Sequence, residues 1–205
     1  MAQAICISRS TGAEGEAVGR AVAERLGFRY VDDEVIAVAA ERADLDPEHV
    51  ADAERRKPLV LRLLTYMGEQ SPETLALLPE PGAMGRLPAE ADLRALIVDV
   101  LRSLADEGSV VIVAHAASFA LAERDVFRVL VTASPETRAQ RVATATGIDP
   151  RAAAKSIKRD DDERADYLKR FYGVDRELPT HFDVVINTDA LTPERAADIV
   201  LAAAG

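Results

Sequence analysis

The sequence predicts a doubly wound α/β fold, and three observations lead to it. Five short β-like runs alternate with longer helical patterns. Two of the runs, VVIVA (110–114) and FRVLVTA (127–133), are almost continuously apolar, as strands of a parallel sheet buried on both faces must be. Three helix starts carry a capping residue followed by proline: Asp46-Pro47, Ser134-Pro135 and Thr192-Pro193.

The elements follow in order. AICIS (4–8) is the first strand, and a glycine turn joins it to a helix over 15–26. FRYV (28–31) is the second strand, followed by helical patterns over 33–43 and 47–69. The stretch SPETLALLPEPGAMGRLPAE (71–90) holds four prolines and two glycines and reads as a surface loop. A helix over 89–107 leads into the third strand, VVIVA, and the fourth follows as FRVLVTA. Helices over 135–145 and 150–171 come next, then the fifth strand, DVVINT (183–188), and a last helix over 193–204. Two segments exceed a minimal α/β core: a helical insertion over 47–92 and a charge-rich segment over 138–179. The whole chain, 1–205, reads as one domain carrying both.

Composition narrows the function. At 205 residues and 48% apolar, the chain has enough material for a packed core. Its 25 basic and 35 acidic residues give a net charge of -10, a field that repels polynucleotides and argues against a nucleic-acid partner. Cys6 is the only cysteine, and His49, His115 and His181 show no zinc spacing, so no disulfide or thiolate metal cluster is expected. No apolar run reaches the length of a membrane span and no signal segment opens the chain, so a soluble, cytoplasmic protein is expected. The leucines of LVLRLLTYM (59–67) suit a core or a dimer face, which leaves an oligomer open.

Three stretches could carry chemistry. SRSTGAEG (8–15) ends a strand in a glycine turn at a helix N-terminus, where backbone N–H groups and the helix dipole favour an anion. It lacks the lysine and the hydroxyl that the common phosphate-loop pattern places there, and the plain alternative is a tight turn. Arg138 and Arg141 lie three apart, on one face of a helix that starts past a strand's carboxyl end; the alternative is a solvated basic face. IKRDDDERADYLKR (157–170) holds Arg159, Asp160, Glu163 and Arg164, either a salt-bridged surface helix or an arginine pair that clamps phosphates.

Taken together, ISRSTGAEGEAVGRAVAERLG, VTASPETRAQRV and DVVINT resemble the cytidylate kinase-like family, a branch of the P-loop nucleoside monophosphate kinases. The resemblance runs over nearly the whole chain and is weakest over 55–95. It implies a P-loop NTPase-like three-layer fold, with ATP and Mg2+ as cofactors and nucleotides as partners. It implies that Gly12, Ala13, Glu14 and Gly15 line the phosphate chain, with Arg9 in place of the missing lysine. Asp32 and His115 would lie near the acceptor. Arg138 and Arg141 would meet the donor adenine and phosphates, and Arg159 and Arg164 would clamp the transferred group. Asn187 and Thr188 close the last strand and would be structural.

Three departures bear on activity. Glu14 stands where the family has glycine, Glu16 follows Gly15, and Ala114-His115-Ala116 replaces a GRG-type motif whose arginine would hold the acceptor phosphate. A like-charge pair about 6 Å apart costs on the order of 3 kcal/mol at an effective dielectric of about 20, before screening. Two readings follow: a kinase that transfers phosphoryl from ATP to a nucleoside monophosphate, CMP or dCMP first, or a catalytically silent relative that binds a nucleotide or a partner.

Overall fold

Ile5, Cys6 and Ile7 are wholly buried, and the strand that carries them, β1 (Ala4–Arg9), is the centre of a five-stranded sheet. The computed structural model describes residues 2–32, 90–114 and 116–205. The other strands are β2 (Arg29–Val31), β3 (Val110–Val113), β4 (Phe127–Thr132) and β5 (Val184–Asn187). Their order is β2-β3-β1-β4-β5, and every neighbouring pair is parallel. The chain steps from β1 out to β2, returns to β3 beside β1, then crosses to β4 and β5 on the other side. The order therefore reverses at β1, and the crevice beyond its carboxyl end is where open α/β sheets take their ligands.

Alternate residues of each strand face opposite ways. Ile5, Ile7, Val111, Val113, Val129, Val131 and Ile186 form one cluster with Val18 and Val22 of α1 (Gly15–Leu26) and Ala196, Ala197 and Val200 of α6 (Pro193–Ala204). The intervening Ala4, Cys6, Ser8, Val110 and Ile112 are equally buried, so the opposite face is covered too. There, α3 (Ala117–Ala120) packs on β1, with Ser8 and Ser118 hydroxyls 3.3 Å apart. A fully buried Ile or Val side chain contributes about 2 kcal/mol of apolar transfer, which makes β1 the anchor of both layers.

The remaining helices are α2 (Glu90–Glu107), α4 (Pro135–Thr146) and α5 (Pro150–Tyr172), with a 3₁₀ turn at Pro179–His181. The caps explain where they begin. Ser134 Oγ accepts from Thr137 N and Thr192 Oγ1 from Arg195 N, each with proline at the next position. Asp149 caps α5 in the same way, accepting from Arg151 N at 2.8 Å. The chain divides into two compact units, Met1–Val35 with Val98–Gly205, and Ile36–Ile97. The sheet and helices α1 and α3 to α6 belong to the first.

All five expected strands, and the helices expected over 15–26, 89–107, 135–145, 150–171 and 193–204, stand within one residue of their sequence-based bounds. The helices expected over 33–43 and 47–69, the loop up to residue 89, and the leucines of 59–67 lie outside the described residues. Two short elements were not expected: α3 and the 3₁₀ turn. Helix α3 begins at Ala116 in the left-handed region (φ 55°), with no capping side chain to announce it.

The start of α1 makes two opposite demands. Gly12 has φ 80°, and a Cβ there would lie 2.8 Å from the Arg138 carbonyl oxygen. Glu14 holds a left-handed conformation (φ 62°) that costs a side-chain-bearing residue about 1 kcal/mol. Gly12→Ala is expected to lose about 2 kcal/mol or more through clash and strain. Glu14→Gly is expected to gain about 0.5 kcal/mol, strain relief offset in part by unfolded-state entropy. Urea titrations of the two variants should move the midpoint in opposite directions.

Candidate active site

The loop leaves β1 at Arg9. Ser10 N donates to Val131 O at 3.0 Å, and Ala13 N donates back to Ser10 O at 3.0 Å, which closes a tight turn. Ala13 is wholly buried beneath it. Glu14 is the N-cap of α1, yet its side chain makes no capping bond. The first-turn N–H groups of α1 are thus left without a cap from that side chain. This is the arrangement that receives an anion at a helix N-terminus.

Four arginines surround this loop, each held by a carboxylate. Arg138 is 5% exposed; its Nε donates to Thr11 O at 2.7 Å, and its two terminal nitrogens donate to Asp161 at 2.9 and 2.7 Å. That fork ties α4 to α5 and to the loop in one group. Arg141 donates to Thr188 O at 2.7 Å and Thr188 Oγ1 at 3.0 Å, and pairs with Glu14 at 3.2 Å. Arg164 donates to the Arg9 carbonyl and pairs with Glu177 at 2.6 Å, with side chains only 9% and 13% exposed. Arg9 pairs through Nε with Glu16 at 2.5 Å, and its Cβ lies where a side chain at Gly15 would have to go.

Thr188 fastens the loop from the far side. Its wholly buried hydroxyl lies 3.0 Å from Ala13 O and 3.2 Å from Thr132 O and has a single proton to share between them. Gly12, Ala13, Glu14, Gly15, Arg9, Arg138, Arg141 and Arg164 are therefore brought together around one turn.

Arg159 is not among them. It is 61% exposed and its partners are Ser156, Asp160 and Glu163, all on α5. Arg164 is five residues on, about 140° round the helix, so the two arginines point to different sides. Asp32 follows β2 and accepts from Arg20 at 3.1 Å, while the Arg20 guanidinium stacks 4.2 Å from the Tyr30 ring. His115 lies outside the described residues. Burial pushes the Cys6 thiol up to about 12, so it supplies no thiolate at neutral pH.

Three site residues have no signal in the sequence alone: Asp161, Glu177 and Thr11. Each meets an arginine distant in sequence, and no local spacing reports that. Helix periodicity could have separated Arg159 from Arg164.

The formal charges of the four arginines and of Glu14, Glu16, Asp161 and Glu177 cancel. A phosphate chain fits the backbone: N–H groups uncapped by Glu14, and Gly12 where the turn meets α4. Arg164 Nε is buried without a partner among the described residues, a donor still unspent. For a divalent ion the described residues offer less. Among the described residues no three His, Cys, Asp or Glu side chains gather as a metal site. Mg2+ would arrive with the phosphates, as it commonly does.

Comparison with known proteins agrees with this geometry. A model of the cytidylate kinase-like family matches residues 4–190. The cytidylate kinase of Aeropyrum pernix is 32% identical over 117 residues, 57% of this chain and 64% of that protein. The cytidylate kinase of Sulfolobus acidocaldarius is 30% identical over 105 residues, 51% of this chain and 57% of that protein. The chain thus matches less than two thirds of these relatives' own length. Among solved structures, an uncharacterized protein from Eubacterium ventriosum superposes with a TM-score of 0.67 at 17% identity, covering 97% of this chain and 96% of that one. Shikimate kinase from Bacteroides thetaiotaomicron gives 0.54 at 17% identity, covering 98% and 95%. These structures share the fold, the P-loop NTPase-like three-layer arrangement around a parallel sheet. The sheet order, the arginine-ringed loop at its switch point and the family match together place this chain in the cytidylate kinase-like family.

Proposed function

We propose that this protein transfers the γ-phosphoryl group of Mg-ATP to a nucleoside monophosphate, with CMP or dCMP as the first acceptors to test. The observation that carries the reading is the turn 10–14 at the switch point, with its helix N-terminus uncapped by Glu14 and four arginines in reach. In such a transfer an acceptor phosphate oxygen bonds to the γ-phosphorus while the bond to the β–γ bridging oxygen breaks, leaving ADP. Little covalent work falls to the protein; positioning and charge neutralisation dominate. The N–H groups of Gly12 to Gly15 would hold the donor phosphates. Arg9 and Arg141 would exchange their carboxylates for phosphate oxygens, and Arg164 would offer Nε. Arg138 would keep α4 and α5 in place rather than move. Asp32 and His115 would face the acceptor. The segment 138–179 would act as the lid and 47–92 as the acceptor-binding insertion, in a chain that works as one domain in the cytoplasm.

A second reading has its own observation. Every one of the four arginines is already paired within the chain, and two of the partners, Glu14 and Glu16, are the N-cap and a first-turn residue of α1, at the loop itself. A silent relative that binds a nucleotide or a protein partner would need no free cation there.

Incubation with Mg-ATP and a panel of CMP, dCMP, UMP, AMP and GMP separates the two. Diphosphate from CMP or dCMP above the acceptor-free control is the expected result. No diphosphate from any acceptor, with the protein folded by circular dichroism, selects the silent relative. Within the kinase reading, Arg141→Ala is expected to lower kcat/KM by about a hundred-fold, the scale of one lost charge-stabilising donor. Arg159→Ala is expected to change it by less than about three-fold, because an exposed ion pair on its own helix contributes little. A large loss with Arg159→Ala would instead bring that arginine to the phosphates.

A further inference from the structure

Glu14 is hard to explain as a structural residue. It sits in a left-handed conformation that favours glycine, and its side chain caps nothing. Its ion-pair partner is Arg141, at 3.2 Å. Glu16, the second residue of the helix, is ordinary for a first-turn acid facing the dipole, yet its carboxylate is held by Arg9. Both carboxylates are nearly half exposed, at 41% and 47%, while their arginines are at 25% and 20%.

Consider what a polyphosphate meets on this loop. If Arg9 and Arg141 keep their glutamates, the phosphates find two neutral pairs. If the arginines turn to the phosphates, two carboxylates are left unpaired within the same turn. Either way the site falls one positive charge short for each glutamate. The deficit vanishes for a ligand that carries its own countercharge.

Resting on the kinase reading, we propose that Glu14 and Glu16 are specificity-determining residues that make the loop select a divalent-metal-complexed polyphosphate and reject the metal-free anion. The two carboxylates act as a charge filter: they leave the Mg2+ complex bound and disfavour free ATP. Each carboxylate is expected to account for about ten-fold of the discrimination once solvent and salt have screened it. Arg138–Asp161 and Arg164–Glu177 stand outside this filter, because their carboxylates lie on or beyond α5 rather than at the start of α1.

The test is calorimetric titration with ATP at fixed ionic strength, once with excess Mg2+ and once with chelator, for the native protein, Glu14→Gln, Glu16→Gln and the double variant. Glutamine keeps the Cβ and the strained backbone while it removes the charge, and thermal melts check that each variant is folded. The native protein is expected to bind the Mg2+ complex at least ten-fold tighter than free ATP. In the double variant that ratio should fall by at least ten-fold, chiefly because free ATP binds more tightly. An equal ratio in native and double-variant protein overturns the inference while leaving the kinase reading intact. No binding of either form to any of the four proteins overturns both.

Discussion

How closely α4 can approach the loop decides the rest of the site, and the absence of a side chain at Gly12 decides that. A Cβ there would lie 2.8 Å from Arg138 O and 3.1 Å from Arg138 Cα and a Val142 methyl. With hydrogen in its place, the first turns of α4 rest against the loop. Arg138 and Arg141, three residues apart on α4, then reach Thr11 O on one side and Thr188 on the other. Had α4 stood an ångström or two further out, neither bond could form, and the loop would lose the two groups that tie it to α5 and β5. One missing carbon thus sets the register between three elements.

The four ion pairs are not equivalent, and burial ranks them. Arg164–Glu177 is nearly sealed, and removing either partner would strand a buried charge, so this pair behaves as framework. Arg138 is as deeply buried, and its five donors are largely committed to Asp161 and Thr11 O. Arg9–Glu16 and Arg141–Glu14 are more open, and water can compensate either side when they part. Exchange of partners, which any phosphate ligand demands, is therefore easiest at the two pairs that lie in or against the loop. The deep pairs hold the geometry while the shallow ones can be traded.

Most of the fold was legible because its signals are local. Runs such as VVIVA and FRVLVTA declare buried strands by lacking polar alternation, and Ser134-Pro135 and Thr192-Pro193 declare helix starts by chemistry confined to a few residues. Helix α3 escaped because four residues, ASFA, carry no period, and Ala116 caps it with an unusual φ rather than a polar side chain. At the site, the loop and its arginines could be found from spacing and family resemblance. Their carboxylate partners could not. Asp161 is 23 residues from Arg138 and Glu177 is 13 from Arg164; which acid in a run such as RDDDER meets which arginine depends on how two helices pack. The sequence shows that Glu14 and Glu16 oppose phosphate. Only the geometry shows that each is answered by a cation.

That answer bears on what family membership can and cannot carry here. Shikimate kinases share this fold, so the fold leaves the chemistry open and the site must decide it. This site is formally neutral inside a chain of net charge -10. Long-range attraction cannot gather anions to it; the far field pushes them away. For the proposed phosphate ligand, capture would then come from short-range donors: the helix N-terminus, the loop amides and arginines freed by exchange. Short-range donors reward geometric fit over charge. On the proposed reading, a site built this way would hold a phosphate chain weakly unless the chain also fitted the turn and brought neutralising charge of its own, and that combination would separate a complexed nucleotide from the free anions around it.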